Sequence, residues 1–157
     1  MFFTDPIKAF KNIYKSMKDN GSLTFICFQE AQRNMFQSIA MKTLSAYIDL
    51  PKPEPNTPSP FAFADQSHVD NILNKSGFKE VSCENINETI SIAKEKTKEE
   101  FVQIFLRANP TLPTLMNQLD KSKKLECIKD LENAYQDCKT SDGFSFPTAY
   151  KVVTAIK

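Results

Sequence analysis

The chain has 157 residues, 41% of them hydrophobic and 25% charged, which is the size and balance of one globular domain with a core. Its 20 lysines and arginines nearly cancel its 19 acids, so no global field draws it to nucleic acid or anionic lipid. The start lacks the basic-then-apolar order of an export signal, and no apolar run reaches bilayer length, so a cytoplasmic protein with no membrane segment is expected.

Cys27, Cys83, Cys127 and Cys138 are scattered with no C-x-x-C pair, which predicts free thiols. The same scatter, with a single histidine (His68), argues against a local zinc site.

In chain order, Asp5-Pro6 places an acceptor side chain at an N-cap and proline at the first helical position. Ile7, Phe10, Ile13, Tyr14 and Met17 follow at three-four spacing, and Asp19-Asn20-Gly21 ends the helix. Ser22 to Phe28 reads SLTFICF, apolar almost throughout, which predicts a strand covered on both faces, as inside a parallel sheet. Asn34 to Leu50 predicts a helix closed by Pro51. Residues 51–60, PKPEPNTPSP, read as a rigid connection in preference to a polyproline ligand.

Asp65 caps the next helix, with Val69, Ile72 and Leu73 inward, Gly77 beyond its end, and Phe78 as the closing hydrophobic contact. Val81, Cys83, Ile86, Ile90 and Ile92 predict one long or bent strand. Thr97-Lys98-Glu99-Glu100 is a capping box, opening a helix through Phe101, Ile104, Phe105 and Ala108 that Pro110 ends. Leu112 to Leu119 and Lys121 to Cys138 are helical, the second with Leu125, Ile128, Leu131 and Tyr135 inward. Asp142-Gly143 is a turn, and Phe144 to Ile156 is β-rich.

A phosphate or nucleotide cradle needs clustered glycines, but Gly21, Gly77 and Gly143 are isolated, each explained by a turn or cap. His68 and Ser67 are neighbours in a first helical turn, and such neighbours rarely converge into a relay. Glu99-Glu100 complements a helix dipole. Cys27, Phe28 and Gln29 close a strand at the end where ligands gather in open α/β sheets, although Cys27 reads better as core packing.

The opening MFFTDPIKAFKNIYKSMKDNGSLTFICFQE resembles class I S-adenosylmethionine-dependent methyltransferases of the ubiquinone- and menaquinone-biosynthesis type, around their fourth and fifth strands. There an MFF-and-DP-like sequence leads into a helix, a turn around glycine, and a strand finishing in a C-(W/F)-Q-like triplet. PFAFAD before a helix ending in SGF is similar to the family's next section, and the closing TAYKVVTAIK to its last strand.

The resemblance implies an α/β fold with a partial Rossmann-like methyltransferase sheet of the last three strands. Helices would flank it, with a helical cap insertion over residues 97–138 between the last two strands, in a single partial domain, 1–157. It implies that the chain begins after the fourth strand, without the glycine-rich loop, ribose-holding acid and adenine loop of the donor-binding half. Phe2, Phe3, Phe28, Gln29, Met35 and Phe36 would then wall the methyl acceptor, although aromatics at such positions are at least as often core.

S-adenosylmethionine would serve the complete family enzyme, and none is expected to bind this chain alone. No catalytic residue is implied, because the donor is already a strong electrophile and positioning with desolvation can suffice. The implied partner is an N-terminal methyltransferase half in trans, or a second copy pairing along Ser22–Phe28, whose edge would stand bare. The alternative is a non-catalytic binding or assembly module.

Overall fold

A computed structural model describes residues 1–50, 57–109 and 111–157. The expectations for the proline-rich stretch over 51–56 and for Pro110 lie outside the described residues. The elements are α1 (Pro6–Ser16), β1 (Ser22–Phe28), a 3₁₀ turn (Ala31–Arg33), α2 (Met35–Leu44), α3 (Gln66–Ser76), β2 (Lys79–Ile92), α4 (Lys98–Ala108), α5 (Thr111–Met116), α6 (Lys121–Gln136), β3 (Lys139–Thr140) and β4 (Gly143–Ile156). The fold is α/β: an open antiparallel sheet in the order β1-β4-β2, with β3 also on β4, and helices flanking it. Three helices, α4 to α6, intervene between β2 and β4. Among the described residues no helix is long and apolar enough to cross a membrane.

The local signals set the helix ends. Asp5 accepts from the Lys8 amide at 2.9 Å, Asp65 from Ser67 at 3.0 Å, and Asp120 from Lys123 at 2.9 Å. Thr97 and Glu100 form the reciprocal capping box. Gly77 takes φ +104°, and the Phe78 amide reaches back to the Leu73 carbonyl at 3.1 Å, closing α3 as a Schellman turn.

β1 corrects the expectation of a strand inside a parallel sheet. It pairs antiparallel with β4, from Ser22 opposite Ile156 to Phe28 opposite Tyr150, and it stands at the end of the strand order. Leu23, Phe25 and Cys27 point into a core, whereas Ser22, Thr24 and Ile26 are exposed, Ile26 at 60%. The reason is that, among the described residues, helices pack on one face only, so burial alternates with period two.

Other departures concern phase and length. α2 stops at Leu44, and the chain continues to Ile48 through turn hydrogen bonds. In α6 the buried line is Cys127, Leu131 and Tyr135, four residues apart, and Leu125 is exposed. In α4 Phe101 and Val102 are buried and Ile104 is not. β2 is one 14-residue strand as expected, but Cys83, Ile90 and Ile92 are exposed. The two-residue β3 was not foreseen.

The described residues form two compact units, each with its own core. The first comprises 1–33, 57–88 and 149–157; α1 packs on α3, and Phe10, Phe63, Val69, Ile72, Leu73 and Val153 form its centre. Phe10 lies 5.4 Å from Phe25 and 6.0 Å from Phe63, ring to ring. Burying each such side chain contributes about 1.5–3 kcal/mol. The second comprises 34–50, 89–109 and 111–148, where Phe101 stacks on Phe144 at 4.3 Å and meets the Tyr135 edge at 5.0 Å. The buried Tyr135 hydroxyl donates to the Phe36 carbonyl at 2.6 Å, so its polar end is satisfied.

Candidate functional site

The polar centre of the first unit lies where the chain leaves β1. The antiparallel register sets Cys27 opposite Lys151 and Phe28 opposite Tyr150. The Gln29 amide still bonds the Ala149 carbonyl at 3.0 Å, and the 3₁₀ turn that follows brings Arg33 back over Gln29. Gln29 is 3% exposed. Its Nε2 donates to the carbonyls of Tyr150 (2.8 Å) and Ile86 (3.2 Å), and its Oε1 accepts from Arg33 at 2.6 Å. Arg33 also donates to Asn87 Oδ1 at 2.8 Å. Gln29 thus ties β1, β2 and β4 together at one end. Beside it the Tyr150 hydroxyl donates to Glu88 at 2.6 Å, and this bond raises the phenol above its ordinary range.

Lys151 is the second buried polar residue there, at 3% exposure. It shares the inward phase of β4 with Ala149, Val153 and Ala155. Its Nζ donates to the Ala64 carbonyl at 2.7 Å and reaches Gln66 Oε1 at 3.4 Å. A cavity of about 380 Å³ opens against Lys151, Gln29, Arg33, Gln66, Cys83 and Asp65. The Asp65 carboxyl accepts from both the amide and the hydroxyl of Ser67, which hold it below the usual carboxylate range, with smaller help from the charges of His68 and Lys151.

The thiols are all moved away from the reactive thiolate. Cys27 is buried, its Sγ 3.7 Å from the Phe63 carbonyl, and burial pushes its thiol up to about 11, so it is neutral near pH 7. Cys83 is exposed, yet desolvation raises it as well. His68 sits with its ring 6.3 Å from Phe63, and no group of ligating side chains suited to a metal occurs among the described residues.

Of the residues expected around an acceptor, four belong to the first unit. Phe2 is 67% exposed; Phe3 is exposed and meets Phe10 edge-on at 6.1 Å. The Phe28 ring lies 5.8 Å from Phe61, and Gln29 lines the cavity. The other two belong to the second unit. Met35 lines a separate cavity of about 450 Å³ with Ile39, Thr43, Ala134 and Cys138, while Phe36 packs against that unit's core. Sequence reading missed Arg33 and Lys151. Lys151 was findable, as the one charge in the apolar phase of a β-rich run; Arg33 left no signal, because its contact with Gln29 needs the 3₁₀ turn and its other partner, Asn87, is 54 residues away.

The three glycines give no open backbone cradle for a sulfonium nucleoside donor. A Cβ at Gly21 would meet the Lys18 carbonyl at 2.8 Å, one at Gly77 the Tyr14 ring at 3.2 Å, and one at Gly143 the Ile92 carbonyl at 2.3 Å. Each glycine is therefore consumed by packing of the chain on itself, and none is free to let a ligand approach the backbone. No family model and no curated protein matches the chain.

Proposed function

We propose that this chain forms the C-terminal, acceptor-side part of an S-adenosylmethionine-dependent methyltransferase, completed across β1 by a donor-binding half. The observation that carries the reading is the place of β1. It is paired along its whole length with the last strand, and its other edge has no strand on it among the described residues. The bonds from Lys157 to Gly21 and from Gln29 to Ala149 fix the alternation: odd-numbered residues face β4, and Ser22, Thr24 and Ile26 turn their backbone groups to the open edge. Such an edge is a template for one more strand. The helical segment between β2 and β4 and the resemblance of the opening and closing motifs support the same reading.

In this reading the chain's own residues position and desolvate an acceptor at the end of β1. No step that moves a proton or a methyl group is placed on them. Titration of the chain with S-adenosylmethionine by calorimetry tests it, with no stoichiometric binding expected; saturable binding at one site per chain removes it. The exposed Ile26 on the open edge favours one other reading, an assembly module that dimerises there without chemistry. Light scattering that finds a defined, soluble dimer with no other partner selects that second reading.

A further inference from the structure

We propose that the cavity at the end of β1 binds a small molecule through its carboxylate, held by the ammonium of Lys151. Lys151 is 3% exposed and lines that cavity. An ammonium has three donors, and its partners here are both neutral: the Ala64 carbonyl at 2.7 Å and, at a long 3.4 Å, the Gln66 amide oxygen. No carboxylate lies within ion-pair distance of it among the described residues. A charge withdrawn from water without a counter-ion is costly, and an anion entering the cavity supplies both the missing charge and the third acceptor.

The rest of the lining selects the kind of anion. Asp65 and Glu30 also border the cavity, both exposed, and the Asp65 oxygens are already engaged by Ser67. Their negative charge at the exposed rim repels a dianion such as phosphate about twice as strongly as a monoanion, so the ammonium is left to a monoanion. The amides of Gln66 and Asn85 also line the walls, with polar groups for the remainder of a ligand. The volume of about 380 Å³ suits a compact molecule. Where the methyltransferase reading holds, on which this extension rests, the acceptor is an acid; binding of the anion itself does not depend on that reading.

The test is an amide NMR titration of the full chain with sodium benzoate, with benzamide as the neutral isostere and inorganic phosphate as the dianion. Benzoate is expected to shift Gln29, Ala64 to Ser67 and Lys151 saturably, with benzamide and phosphate much weaker. Lys151→Met is expected to weaken benzoate about tenfold or more, the loss of one charge-assisted contact, while its spectrum reports whether the fold is kept. Equal shifts with benzamide, unchanged benzoate binding in a folded Lys151→Met, or no saturable shift at all overturns the proposal. If Lys151→Met does not fold, the benzoate and benzamide arms on the natural chain still decide. Failure here leaves the calorimetric test of the donor untouched, so the two readings fall separately.

Discussion

Gln29 and Lys151 are both nearly buried at the end of β1, but they differ in how far the chain satisfies them. The Gln29 amide bonds two carbonyls and the Arg33 guanidinium, so its visible work is to join three strands. Truncating it strands the Ile86 and Tyr150 carbonyls and one arm of Arg33. Gln29→Ala is therefore expected to destabilise the fold by about 1–3 kcal/mol. A lower urea midpoint with unchanged slope is the signature, and an unchanged midpoint would refute the tie. Sequence position located Gln29 correctly at a strand end, yet it could not reveal that Asn87 and Tyr150, distant in the chain, would occupy its surroundings. The residue that keeps unspent hydrogen-bonding capacity is Lys151, on a strand more than a hundred residues later.

At the scale of elements, short-range chemistry was the readable part. The N-caps at Asp5, Asp65 and Thr97 and the glycine end of α3 all act within four or five residues, so the local sequence contains both partners. Strand covering is a longer-range matter. The alternation of Ser22 and Thr24 with Leu23 and Phe25 already carries period two, but Ile26 breaks it, and an apolar residue on an open face looks like one in a closed sheet. The edge position of β1 has a measurable consequence. In hydrogen exchange the amides of Leu23, Phe25 and Cys27, which face β4, should be protected, and those of Ser22, Thr24 and Ile26 should exchange rapidly in the chain alone. Uniform protection along β1 would mean that something already covers the edge, and addition of a true partner strand should protect the even-numbered amides selectively.

For the molecule as a whole, two apolar cores hold three of the four thiols, and burial raises Cys27, Cys127 and Cys138, with Tyr135 moved the same way. The unfolded chain releases the Cys27 proton near 9, whereas the folded chain keeps it until about 11. The native state thus binds more protons in between, so this contribution to stability is complete below pH 9 and is lost as pH rises towards 11. Urea midpoints on either side of pH 9 should show that fall, and Cys27→Ala should make it shallower, with the other buried thiols keeping their share; an unchanged pH slope in the variant would show that the Cys27 thiol is not protected by the fold. The sequence by itself determined where the helices begin, that a strand follows α1, that the cysteines form no local cluster, and that the glycines build no nucleotide loop, because each depends on neighbours in the chain or on composition alone. Only the tertiary structure decided the antiparallel pairing of β1 with β4, which face of that strand stays open, and the meeting of Gln29, Arg33 and Lys151 around one cavity. Those outcomes depend on register between segments separated by more than a hundred residues, and a register leaves no mark in the sequence of either segment taken alone.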